Sequence, residues 1–175
     1  MRQALILLLF ITSVAVAGEP AAPSLKADLD EIVAQGAVAP VNGISSAAQP
    51  DEAAFKVFAD NGYVAVVDLR TAGEDRGLDE AGVVEGLGME YVAFPISRKD
   101  INLEKAAEFD KLLAQYDEPV LVHCAGANRA AAMLALREYL DSGDSEKAMA
   151  VAKDGGITNL DDRVRELVEA ETATE

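Results

Sequence analysis

Cys124 is the single cysteine of this chain, and its neighbours decide what a thiol there can do. It closes a short apolar run from Val120 to His123. Ala125, Gly126, Ala127 and Asn128 follow, then Arg129 and a strong helix-forming segment. A thiol at a strand end, an arginine five positions later and a helix start together describe an anion-binding site with a nucleophile in it. The unpaired N–H groups and positive dipole of the helix point toward the loop. Ala125, Gly126 and Ala127 keep the loop slim, so that amides can approach an anion, and Arg129 offers a planar fork to two of its oxygens. The same positive field favours the thiolate, the reactive form. The competing reading is a buried structural cysteine before an ordinary strand-to-helix turn, since free cysteines are commonly buried. His123 is expected to orient the cysteine loop through hydrogen bonds rather than to act as an acid or base.

Such a cradle needs a sheet whose strand ends carry it. Strand-like runs fall at Tyr63 to Leu69, Glu90 to Phe94 and Pro119 to His123, and residues 39–49 form a turn-rich or strand-like lead-in. The Tyr63 to Leu69 run is nearly all β-branched or apolar, as in a strand buried on both faces. Helices are predicted at Ser24 to Ala34, from Pro50-Asp51-Glu52 to Asn61-Gly62, at Leu78 to Leu87, after Asn102, and at Arg129 to Leu140. Two more are predicted near 144–153 and 160–171. After Asn102, Leu103, Ala106, Ala107, Leu112, Leu113 and Tyr116 share one helical face. Alternating strands and helices predict an α/β three-layer sandwich with a mainly parallel central sheet flanked by helices. Ligands collect at the carboxyl ends of such strands, where Cys124 lies.

The chain has 175 residues, with 31 acidic against 15 basic side chains and a net charge of −16. That balance argues against nucleic acid or anionic lipid as a partner. An anionic substrate must be captured by a local positive site. Met1-Arg2, an apolar stretch to Ala17, and Ala15-Val16-Ala17 before Gly18 have the form of a cleaved signal peptide. Residues 1–17 are therefore expected to be removed, giving a periplasmic or secreted protein with no stable membrane insertion after cleavage. Residues 18–38 read as a leader and short helix, and 39–175 as the domain. With one histidine and one cysteine, no zinc-type ligand cluster and no cofactor site are expected. The oligomeric state is not legible in the sequence.

The His123-Cys124 to Arg129 loop resembles the signature loop of cysteine-dependent protein tyrosine and dual-specificity phosphatases. Ser45 to Pro50, Gly62 to Arg70, Gly88 to Pro95 and Pro119 to Ala131 extend the resemblance. They follow a bacterial subfamily of such domains, some fused to metallo-β-lactamase-type hydrolases or NAD kinases. The resemblance implies a phosphatase-like fold without a metal. It implies that Cys124 attacks phosphorus, that Arg129 and the amides of residues 125–129 hold the phosphoryl oxygens, and that an upstream loop Asp protonates the leaving oxygen. Asp100 is the candidate for that acid, and a solvated loop charge is its alternative.

Three departures are visible. Four residues separate Cys124 from Arg129 where five are usual. Ala130 stands where a Ser or Thr hydroxyl helps expel the thiolate. Gly126 and Ala127 replace the subfamily's usual Ser-Gly. A second reading is therefore a rhodanese-like sulfurtransferase. It would carry a persulfide on Cys124, use Asp68 and Arg70 as an Asp-x-Arg element, and need no hydroxyl at 130. A third is a catalytically weak anion- or partner-binding module. The expected substrate is a phosphate- or sulfur-bearing anion. Asp68 and Arg70 are expected to pair with each other and support the loop. Glu74, Asp75 and Arg76 read as a solvated turn, and Arg98 and Lys99 as local positive potential or simply exposed charge.

Overall fold

The computed structural model describes residues 24–172. The expected signal peptide, residues 1–17, lies outside them. The elements run α1 Leu29–Gln35, β1 Ile44–Ala47, α2 Glu52–Asp60, β2 Ala65–Asp68, α3 Glu80–Gly86, β3 Glu90–Ala93, α4 Leu103–Leu113, β4 Val120–His123, α5 Asn128–Ser142, α6 Ser145–Asp154 and α7 Asp161–Thr172. The four strands form one sheet in the order β1-β4-β2-β3. Every pairing is parallel, so the α/β expectation holds. No helix among the described residues is long and apolar enough to cross a membrane.

The layers follow from the two-residue period of the strands. On β4, Val120 and Val122 enter one core with Phe109 of α4, Leu136 of α5, Ala152 of α6 and Val164 of α7. Leu121 enters the other core, with Ile32 of α1, Phe55 and Phe58 of α2, and Val84 of α3. Helices thus cover both faces of the sheet. β1, β2 and β4 are buried along their whole length, whereas β3, at the edge, keeps Glu90 and Ala93 exposed.

Side-chain caps explain where several helices begin. Asp51, Asn102 and Asp144 each accept a backbone N–H from the first turn of the helix that follows. Each such cap is worth ~1 kcal/mol. The helix expected from Ser24 instead starts at Leu29. Asp28 caps it, and the backbone before it is extended: Ala27 N–H donates to Ser46 O at 2.8 Å and Ser46 N–H to Leu25 O at 2.7 Å. The segment is bound laterally to β1, which the apolar spacing of Leu25 and Leu29 does not reveal.

α5 is the central helix and is apolar on nearly all sides, with nine buried residues from Arg129 to Tyr139. Its run of alanines lets α6 pack close. A Cβ built on Gly155, at the end of α6, would lie 3.0 Å from the Ala131 Cβ. The helix that carries the cradle is therefore held rigidly in the middle of the molecule.

Candidate active site

β4 ends at His123, and α5 begins at Asn128. The four residues 124–127 turn the chain between them. Ala127 makes that turn with φ 63°, a left-handed conformation that costs a non-glycine residue ~1 kcal/mol or more. The turn leaves amides unused. Among the described residues, the N–H groups of Ala125, Gly126 and Arg129 have no hydrogen-bond acceptor. Cys124 is a free thiol, 1% exposed, with its own N–H on Ala47 O at 3.4 Å. It sits at the base of an open pocket of about 630 Å³ together with Ala125, Gly126, Asn128 and Arg129. A Cβ on Gly126 would meet no protein atom within 4 Å, so its smallness leaves room in the pocket rather than serving the packing of the loop.

Arg129 is 8% exposed and fixed from several directions. Its two terminal nitrogens donate to the two carboxylate oxygens of Glu74, each at 2.6 Å, and one of them also reaches Ile96 O at 3.1 Å and Leu69 O at 3.3 Å. The Glu74 bond and the neighbouring Cys124 sulfur raise the guanidinium pKa further above its usual range. The same bond, with help from Thr71, holds the Glu74 carboxyl at about 2. Glu74 is thus no member of a solvated turn. It is an anionic brace for the arginine, and its place in a polar loop gave the sequence reading no signal of this.

Asn128 lines the pocket, but its side chain is a bracket. Its Oδ1 accepts from Thr158 N at 2.7 Å and Asn159 N at 2.9 Å, and its Nδ2 donates to Gly126 O and Thr158 Oγ1, each at 3.0 Å. This ties the cradle to the loop between α6 and α7. Its backbone N–H donates to Gly126 O at 2.9 Å, so Asn128 does not supply a free amide to the pocket.

The other expected partners rearrange. The Asp68 side chain does not pair with the Arg70 guanidinium. Asp68 accepts from the Arg70 backbone N–H at 2.7 Å, from Arg76 Nε at 2.7 Å and from the Tyr91 hydroxyl at 2.8 Å. Arg70 turns instead to Gln49, to Asp75 O and, at 3.5 Å, to Glu74. Arg76 is therefore a buried-network cation rather than a solvated charge. Burial and the Asp68 bond push the Tyr91 hydroxyl up to about 12.

His123 faces away from the cysteine loop. Its Nε2 lies 2.6 Å from Glu80 Oε1, and its ring meets Phe55 edge-on on the α2 side of the sheet. The period of the strand puts His123 and Cys124 on opposite faces, which corrects the expectation that the ring orients the loop. Asp68, Glu80 and His123 bring potential ligand atoms within 4.8 Å of one another. That group could hold a metal only by displacing Arg76, which already neutralises Asp68.

Asp100 is exposed and accepts from Ser97 Oγ at 2.5 Å. Ser97, Arg98 and Lys99 line the pocket. Asp100 belongs to the same loop but not to the pocket wall.

Comparison with known proteins places this geometry. A family model described as "DSP-PTPase phosphatase fused to NAD+ Kinase" matches residues 39–169. A β-lactamase hydrolase-like protein of Agrobacterium fabrum is 29% identical over 102 residues. These are 56% of this chain and 24% of the relative, so the chain spans about a quarter of that protein. A candidate phosphatase from Neisseria meningitidis superposes with a TM-score of 0.64 at 19% identity, over 73% of this chain and 94% of the other. P. aeruginosa TpbA in complex with pTyr superposes with a TM-score of 0.59 at 18% identity, over 73% and 79%. These two likenesses show the shared fold. The match across most of the domain shows the family: the chain is a cysteine-dependent, tyrosine/dual-specificity phosphatase-like protein of the group described as DSP-type phosphatases fused to NAD+ kinase.

Proposed function

We propose that the protein hydrolyses a phosphate monoester through a phosphocysteine at Cys124. The observation that carries this reading is the placement of the Cys124 thiol beneath unused amides and beside a guanidinium fixed by Glu74. The thiolate attacks phosphorus, and the bond to the leaving oxygen breaks. Arg129 and the amides of Ala125, Gly126 and Arg129 hold the three equatorial oxygens, where charge develops. The leaving oxygen takes a proton from an acid. Water then attacks the phosphocysteine, releasing inorganic phosphate and restoring the thiol.

Glu74 does not serve as the acid, because a carboxyl held at about 2 by Arg129 carries no proton near neutral pH. Asp100 takes that role once its bond to Ser97 opens and the carboxylate turns toward the pocket. A well-placed acid contributes about 10²–10⁴-fold.

The test is phosphate release from aryl phosphates by the wild type, Cys124→Ser and Asp100→Asn. The first substitution should abolish release. The second should slow poor leaving groups about 100-fold while sparing good ones, and it should remove the alkaline limb of the pH profile. Thiosulfate with cyanide runs in parallel, because Ala130 lacks the hydroxyl that phosphocysteine hydrolysis uses. Cys124-dependent thiocyanate without phosphate release would replace this reading with sulfur transfer. Silence in both assays would leave an anion-binding module.

A further inference from the structure

The rim of the Cys124 pocket carries charge that the chemistry above does not use. Arg98 and Lys99 both line it, and both are exposed. Among the described residues, neither lies within 4.0 Å of a carboxylate; exposed Lys26, Lys111, Lys153 and Arg165 share that property, but only Arg98 and Lys99 are adjacent and line this pocket. In a chain with two acidic side chains for every basic one, leaving two adjacent cations unpaired at a pocket mouth forgoes readily available ion pairs. Arg98 is also held in place: its guanidinium donates to Asn159 O at 2.8 Å. Asn159 is in turn fixed by Asn128. The cradle, the 157–160 loop and the cationic loop therefore form one connected rim. No aromatic or branched aliphatic side chain lines the pocket, so nothing there would grip a phenyl ring.

We propose that Arg98 and Lys99 form a second anion subsite, and that the substrate is a compact small molecule with at least two phosphoryl groups. One group sits over Cys124 and the other on the rim. The inference rests on the phosphatase reading above and extends it to a substrate class. Against a net charge of −16, an ester with a single phosphoryl group has only the Cys124 cradle to draw it in. A ligand that engages both positive sites gains the second contact at high effective concentration and from a focused local field.

The test is calorimetric titration of full-length Cys124→Ser protein with inorganic phosphate, pyrophosphate, tripolyphosphate and free phosphotyrosine. Tripolyphosphate should bind at least about tenfold tighter than phosphate, a difference of ~1.4 kcal/mol. Arg98→Ala/Lys99→Ala should erase that ratio. Lys99→Glu, at a position whose only hydrogen bond among the described residues is donated by its backbone N–H, should erase it too and keeps the test valid where the double variant folds poorly. Equal affinities for phosphate and tripolyphosphate, a ratio kept in both variants, or tighter binding of phosphotyrosine would overturn the proposal. Phosphate release by the wild type, from an aryl phosphate or from tripolyphosphate, tells failure of the subsite from failure of the hydrolase. Turnover without the polyphosphate preference rejects the subsite alone. The preference without turnover rejects the hydrolase, and the substrate class with it.

Discussion

Glu74 and Arg129 are 55 positions apart in sequence and meet through two parallel hydrogen bonds of 2.6 Å. Glu74 belongs to the loop after β2, and Arg129 to the first turn of α5. Their pairing orients the guanidinium before any ligand arrives, so binding an anion costs little reorganisation. Carboxylate and guanidinium match as fork to fork, which gives direction as well as attraction.

This pair sets a pH dependence of stability. The folded-state pKa of Glu74 is lowered from 4.5 to about 2, so between those values the native state binds fewer protons than the unfolded chain. The stabilisation is complete above about 4.5 and is lost as pH falls toward 2. Glu74→Gln should therefore be less stable than the wild type at neutral pH, with the gap narrowing from about pH 5 to pH 3. Urea unfolding of both proteins across that range measures it. A gap that stays constant with pH would remove Glu74 from the acid dependence.

Arg129→Lys should retain the fold and lose activity. A lysine ammonium is a point charge and cannot bond both Glu74 oxygens and two phosphoryl oxygens in one plane. The expected loss in kcat/KM on an aryl phosphate is about 10²–10³-fold, the usual effect of removing one oxyanion donor. A change of threefold or less would show that the loop amides alone hold the charge.

Ala130 is fully buried at the start of α5. Without a hydroxyl there, breakdown of the phosphocysteine should limit turnover. Rapid mixing should then show a burst approaching one equivalent of phenol, followed by slow release. Ala130→Ser should shrink the burst and raise the steady-state rate about tenfold. A wild-type time course that is linear from the first turnover would place the slow step earlier.

Glu80 and His123, both buried on the α2 face, are joined at 2.6 Å. Among the described residues, the His123 Nδ1 has no hydrogen-bond partner. Glu80→Ala removes the ring's hydrogen bond, leaving Nε2 only Asp68 Oδ1 at 3.8 Å, and opens a cavity, so it should cost about 2–4 kcal/mol. Denaturant melts would read this directly. A loss below about 0.5 kcal/mol, the size of an ordinary surface substitution, would mean that the pair contributes little.

What the sequence determined by itself was local. Caps such as Asp51 and Asn102, the β-branched run before Asp68, and the apolar spacing after Asn102 specify where helices and strands lie, because each acts within a few residues. The Cys124 to Arg129 spacing likewise announces a strand-end anion cradle. The tertiary structure alone decided who meets whom. The strand order β1-β4-β2-β3 brings the loops after β2, β3 and β4 to one end of the sheet. There Arg129 meets Glu74, Asp68 meets Arg76 and Tyr91, and Asn128 meets Thr158 and Asn159. A loop carboxylate in an acidic chain has many equally plausible partners in sequence. Its actual one is set by backbone placement and by the cost of leaving a buried charge unpaired, which no local pattern encodes. For the same reason the strand period, not the adjacency of His123 and Cys124, sends their side chains to opposite faces of the sheet.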